Sequence, residues 1–150
     1  MKQALTIITA ALFLTFALAG PSLSAAPLAG GVAAGDVKVT VHYKGKGKVD
    51  ASHRLWVFLF DTPNIGPGSV PIEMLSLEKN DIDAVFAGVA PNQVWVVAAY
   101  DETGAMTGDA PPPSGTPIGI LVAADGAPAA VISGAKDPAV LTFDDTQRMP

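Results

Sequence analysis

Two short apolar runs limit what this chain can fold into. Leu55-Trp56-Val57-Phe58-Leu59-Phe60 and Val94-Trp95-Val96-Val97-Ala98-Ala99-Tyr100 carry no charge and no break. Both are rich in β-branched and aromatic residues and too short for an ordinary helix, so each reads as a strand with apolar side chains on both faces. Turn chemistry bounds them. Asp61-Thr62-Pro63-Asn64-Ile65-Gly66-Pro67-Gly68 follows the first, and Pro91-Asn92 and Asp101-Glu102-Thr103-Gly104 bracket the second. The second run is the stronger, and the chain is expected to organise around it.

The remaining segments read as shorter strands. Val37, Val39, Val41 and Tyr43 alternate with Lys38, Thr40, His42 and Lys44, the period of a strand with one wet face. Gly45-Lys46-Gly47-Lys48 lacks the spacing and the Ser/Thr of a phosphate loop and reads as a solvated turn. Further strands are expected near Ile72 to Leu77, Ala84 to Ala87, Ile118 to Val122, Ala129 to Ser133 and Val140 to Phe143. Ala84 to Ala87 is expected to pair with the central run through the link Gly88 to Gln93. Seven to eight short strands with frequent turns and no amphipathic helix point to an all-β fold, an antiparallel β-sandwich. A small closed barrel is the alternative.

In a two-layer sandwich each strand turns one face inward. The bulky set Trp56, Phe58, Phe60 and Trp95 is expected to take the core, because rings bury the most area. Leu55, Val57, Leu59, Val94 and Val96 then fall on the outer face. There they are either covered by a loop such as Ala110 to Pro117 or form a surface for a partner or a second copy in a homodimer.

Residues 1–25 read as a cleaved signal helix: Lys2, an apolar run from Ala4 to Leu18, then Pro21 and the small-residue stretch Ser22 to Ala26. The run, about fifteen residues, is short of the roughly 20 that span a bilayer, so no stable membrane span is expected after processing. Residues 26–35 form an Ala/Gly-rich lead-in, and residues 36–150 are the length of one domain. There is no cysteine, so neither a disulfide nor a lipidated N-terminal Cys is available, and an apolar core must hold the fold. Nine basic and fourteen acidic residues give a net charge of −5, or −6 once Lys2 is removed. That balance disfavours nucleic acid as a partner.

Phe86-Ala87-Gly88-Val89-Ala90-Pro91-Asn92 leading into Val94-Trp95-Val96-Val97-Ala98 resembles the hairpin of carboxypeptidase-regulatory-like and transthyretin-like sandwiches. There the pattern is Phe-x-Gly-Leu/Val-x-Pro-Gly followed by a Tyr-containing strand. Here Asn92 replaces the second glycine, and Val94 or Trp95 stands at the Tyr position. The resemblance covers about fifteen residues and implies a sandwich that is in most members a non-catalytic module. The transthyretin-like hydrolases of purine breakdown end in Tyr-Arg-Gly-Ser, whereas this chain ends Thr146-Gln147-Arg148-Met149-Pro150.

Residues with chemical potential are few. His42, His53, Tyr43 and Tyr100 contain the residue types of a ferric site but lack a His-x-His pair. Ser52 and His53 are neighbours whose side chains diverge on extended backbone. Asp101, Asp109, Asp144 and Asp145, with Asp61 and Glu102, lie at strand ends, where convergence would make a calcium site. Read as a calcium loop from Asp101, the following positions hold Thr103 and Ala105, and alanine offers no side-chain ligand. Trp56 and Trp95 have the flat faces that stack on sugars, but each sits inside an apolar run. The expected role is an exported, non-catalytic module that binds a protein or glycan partner and needs no cofactor. A small-ligand carrier or hydrolase-type enzyme on a transthyretin-like fold, or a calcium-binding envelope domain, is the alternative. An enzyme would gather several of His42, His53, Asp61, Asp101 and Asp144 in one cleft. Mass spectrometry of the exported protein is expected to find a mature N-terminus between Ser24 and Gly31; an intact Met1 would overturn the signal-peptide reading.

Overall fold

The structure, a computed structural model, describes residues 34–66 and 68–150. The expected signal peptide and most of the lead-in lie outside these residues. The described chain forms eight strands: β1 (Gly35–Tyr43), β2 (Leu55–Phe60), β3 (Glu73–Leu77), β4 (Ile82–Val89), β5 (Gln93–Tyr100), β6 (Ile118–Ile120), β7 (Ala130–Ile132) and β8 (Ala139–Phe143). They build a two-sheet sandwich. One sheet has three strands in the order β4-β1-β8; the other runs β3-β2-β5-β6, with β7 pairing further along β5. All pairings are antiparallel except β1 with β8. No helix among the described residues is long and apolar enough to cross a membrane.

β5 is central, as the sequence implies. It meets β2 on one side, from Leu55 opposite Tyr100 to Phe60 opposite Trp95, and both β6 and β7 on the other. β4 does not pair with it. β4 lies against β1 in the other sheet, with Val37 opposite Phe86 and Val39 opposite Ala84. The segment expected to be a hairpin is therefore a crossing between sheets. Gly88, at φ 65°, takes the left-handed turn that starts it, and the Gly88 N–H donates to Asp36 Oδ1 at 3.2 Å. Asn80 extends β1 with its side chain: it accepts from Tyr43 N at 2.8 Å and donates to Tyr43 O at 2.7 Å.

From β2 and the middle of β5 the core between the sheets takes the branched side chains and not the large rings, while Tyr43, Phe86, Tyr100 and Phe143 supply its aromatic part. Val37, Val39 and Val41 face Leu55, Val57, Leu59, Val94 and Val96, all at most 1% exposed. This corrects the expected facing. Leu55, Val57, Leu59, Val94 and Val96 are inside and cannot form an interface. Trp56, Phe58 and Phe60 point to the opposite face of the five-stranded sheet, with Val97, Ala99 and Ile118 in a second buried cluster. Trp95 shares that parity and is half-buried. The physical reason lies at the strand end. Tyr100 turns inward to stack on Tyr43, with ring centroids 4.3 Å apart. Alternation along β5 then sends Ala98, Val96 and Val94 inward, and the β2 register carries Leu55, Val57 and Leu59 with them.

The second cluster is covered by coil from residues 61–66 and 68–72, residues 101–117 and residues 147–150. The central strands β2 and β5 are thus buried on both faces. The three-stranded sheet keeps a wet outer face, where Thr40 donates to Asp83 at 2.6 Å and His42 Nδ1 lies 2.6 Å from Asp81 Oδ1. Leu59→Ala is expected to cost about 2–5 kcal/mol in urea unfolding, the range for emptying a closed core site. Val140→Ala, on the wet face at 55% exposure, should stay within about 0.5 kcal/mol. Equal small effects would return Leu59 to the surface.

Candidate functional site

The cover over the second cluster does not close. Beneath it lies a cavity of about 400 Å³, within the range of roughly 300–1,000 Å³ typical of small-molecule sites. Its floor is the outer face of the five-stranded sheet: Phe58 and Phe60 of β2, Val97 of β5, Ile118 and Ile120 of β6. Ile65, Val70 and Pro71 form one wall, Ala110, Pro111 and Pro112 another, and Met149 and Pro150 a third, with Met74 of β3 between them. Ser69 and Asp109 are the only side chains in the lining with polar atoms beyond the thioethers. Proline suits these walls, because a residue without an N–H can lie against an apolar face and leave no donor unpaired.

Asp101 shapes the longest wall. It is 2% exposed and anchors the following turn with both carboxylate oxygens. Oδ1 accepts from the N–H groups of Thr103 (3.2 Å), Gly104 (2.8 Å) and Ala105 (3.3 Å) and from the Thr103 hydroxyl (3.1 Å). Oδ2 accepts from Met106 N at 2.9 Å. The turn delivers Gly108, at φ 85°, directly over the Trp56 ring. A Cβ there would stand 2.6 Å from Trp56 Cζ3 and 2.9 Å from Met74 Sδ, so only glycine permits this approach.

The C-terminal wall is hydrogen-bonded like an extra strand. Ile118 N donates to Gln147 O, Met149 N to Thr116 O and Gly115 N to Met149 O, each at 2.9 Å. Arg148 fastens it with a two-pronged bond to Glu102, at 2.9 and 3.1 Å, and a 2.6 Å bond to Gly115 O. The guanidinium is thereby committed away from the cavity.

The other residues singled out in the sequence are dispersed. Asp145 is at the end of the sandwich, where it accepts from the Tyr43 hydroxyl and from Lys46 N at 2.9 Å. Asp144 caps its own turn through Thr146. Asp109 is at the cavity, Asp101 inside its turn and Asp61 exposed after β2. The four carboxylates of the alternative calcium site, Asp101, Asp109, Asp144 and Asp145, are therefore not brought together. Among the described residues no three His, Asp or Glu side chains are placed to hold a metal ion. His42 belongs to the wet face and His53 to the turn before β2, its Nδ1 3.2 Å from Asp50. Tyr43 and Tyr100 have their hydroxyls engaged, by Asp145 and by Lys48 O. A second, open groove lies beside Tyr100, between Lys46, Lys48, Asp50, His53 and Glu102; Lys48 and His53 both face Asp50 there.

The cavity was not anticipated from sequence. The signal available was the pairing of an aromatic alternate set, Trp56-Phe58-Phe60, with apolar residues stranded in Gly/Pro loops: Ile65, Val70, Pro71 and Met149. Comparison with protein families, with curated proteins and with solved structures gives no match for this chain.

Burial raises the Tyr43 hydroxyl above its ordinary value, and the bond to Asp145 adds to that. Conversely, the Tyr43 hydroxyl first, and then the Lys46 N–H, hold Asp145 below the usual carboxylate range. A carboxyl lowered on folding stabilises the fold fully above its unfolded value of about 3.9, and that contribution is lost as pH falls through the lower folded value. Asp145→Asn should therefore weaken the protein at neutral pH, with the difference narrowing as pH drops below about 4. Urea midpoints across that range report it, and a gap independent of pH would contradict the pairing.

Proposed function

We propose that this chain is an exported, non-catalytic β-sandwich module that carries a small apolar ligand in the cavity on the outer face of its five-stranded sheet. The observation that carries the reading is the composition of the lining: an aromatic and aliphatic floor, proline walls, and a single ionisable side chain, Asp109. Such a site gains from removing apolar surface from water and offers few groups for general acid–base or nucleophilic chemistry. Trp56 is buried and Trp95 half-buried, which favours an apolar ligand over a glycan, since sugar stacking needs an open ring face. Export rests on the pattern of residues 1–25. The carboxypeptidase-regulatory-like or transthyretin-like reading also belongs here; the two-sheet architecture and the residue pattern from Phe86 to Asn92 support it, while the crossing in place of a hairpin counts against it.

A neutral apolar fluorophore such as N-phenyl-1-naphthylamine tests the proposal. It is expected to bind saturably, one per chain, and to change the emission of Trp56, which packs against Gly108 of the wall. Val70 lines the cavity yet is 79% exposed, so Val70→Asp should keep the fold and weaken binding severalfold by placing a charge at an apolar contact. Absence of saturable binding, or binding indifferent to Val70→Asp, would rule the cavity out as the site.

A further inference from the structure

The electrostatics of the cavity are one-sided. The segment that forms its longest wall, residues 101–117, has three carboxylates, and two are spent within the protein. Asp101 is saturated by backbone N–H groups and the Thr103 hydroxyl. Glu102 holds Arg148 through both oxygens. Asp109 lines the cavity and, among the described residues, has neither an ion pair nor a hydrogen bond. It is exposed at the edge of an otherwise apolar lining.

No positive charge balances it. Neither lysine, arginine nor histidine lines the cavity. Arg148 lies between two wall segments, but Glu102 and Gly115 O take its guanidinium. Ser69 is engaged in its own loop, accepting from Gly66 N at 3.0 Å. The floor adds to the asymmetry. Phe58 and Phe60 present aromatic rings, and ring faces attract cations within about 6 Å. An anionic head group would meet an unpaired carboxylate and no cationic side chain, with the Ser69 hydroxyl as the one donor side chain in the lining.

We infer that the ligand is an apolar molecule bearing a positively charged nitrogen, its body in the cavity and its ammonium group at Asp109. This rests on the cavity being the binding site. Asp109 acts here as a specificity residue: burial of the apolar body supplies most of the affinity, and Asp109 decides which head group is accepted. The same geometry disfavours fatty carboxylates and alkyl phosphates of equal chain length by several-fold.

Three probes with one chain separate the two levels of the argument: octylammonium, 1-octanol and octanoate, titrated by calorimetry at low ionic strength. Exposed ion pairs are weak, so the expected preference for octylammonium over octanoate is about fivefold or somewhat more, with octanol between them. Higher salt should shrink it. Asp109→Asn should bring the three probes within about twofold, and Asp109→Lys should invert their order. Asp109 has no protein partner to lose, so both variants are expected to fold, and the retained affinity for octanol checks that they do. If octanol binds but the charged probes do not differ, or if their difference survives Asp109→Asn, the selection by charge is overturned while the cavity stands. If none of the three binds the unaltered protein, the cavity itself fails as a site, and this inference fails with it.

Discussion

The six paired positions between β2 and β5, from Leu55 opposite Tyr100 to Phe60 opposite Trp95, determine both what this molecule buries and what it leaves open. Side chains on a strand alternate strictly, so one decision about Tyr100 propagates along both strands. Tyr100 turns inward because its ring stacks on Tyr43 and its hydroxyl reaches Lys48 O at 3.0 Å. From there the valines and leucines are committed to the space between the sheets and the large rings to the outside. A shift of one residue would exchange the two sets, bringing Trp56, Phe58 and Phe60 against the short side chains of β1. The three-stranded sheet, with valine at every inward position of β1 before Tyr43, is cut to fit branched residues and would not accommodate them without voids or clashes.

That arrangement creates a second problem, which the loops solve. A sheet face bearing Trp56, Phe58, Phe60, Val97 and Ile118 would be a large apolar patch if left open. Its cover comes from coil, and coil laid on an apolar face must dispose of its backbone donors. Proline removes some of them at Pro71 and at Pro111 to Pro113. The Asp101 carboxylate takes four more N–H groups from residues 103–106, and the C-terminal wall pairs its own with residues 115–118. Stiff, self-satisfied segments of this kind hold their shape without collapsing onto the sheet. The cavity between them is a consequence of how the cover is built, and it is lined by what proline-rich coil and an aromatic sheet face have in common, which is the lack of polar side chains.

The strands and their number were legible because alternation at Val37 to Tyr43 and continuous apolarity at 55–60 and 94–100 are local signals. Which strand pairs with which was legible only in part. Ala84 to Ala87 follows a short link into β5, and short links usually mean hairpins, yet Gly88 opens a crossing to the other sheet. Nothing local distinguishes the two. The facing of β2 and β5 was misread for a related reason: with apolar residues on both faces, the rule that large rings seek the core has two cores to choose from. Tyr100, the one residue in the run whose hydroxyl needs a partner, was the better guide. The acidic residues do not converge because Asp101 and Asp144 accept from donors of their own turns, the commonest use of a carboxylate beside a strand end, and Asp145 accepts from the Tyr43 hydroxyl of β1 and from Lys46 N.

The same economy of donors explains why a single carboxylate can matter at the cavity. The neighbouring charged groups are already matched, Asp101 by its turn and Glu102 by Arg148, whereas the buried Trp56 Nε1 has no hydrogen-bond partner. A charge in such surroundings has no competing partner inside the protein, so water is what a ligand must displace from it. Asp109 sits where that exchange is least costly, exposed at the edge, while the apolar body of a ligand is desolvated against Phe58 and Phe60 a short distance further in. Affinity and selectivity are then carried by different residues on different elements, the floor of the sheet and the tip of the loop. Because the floor is rigid core and the tip carries no structural bond, the head group accepted at residue 109 can change by substitution without disturbing the sandwich beneath it.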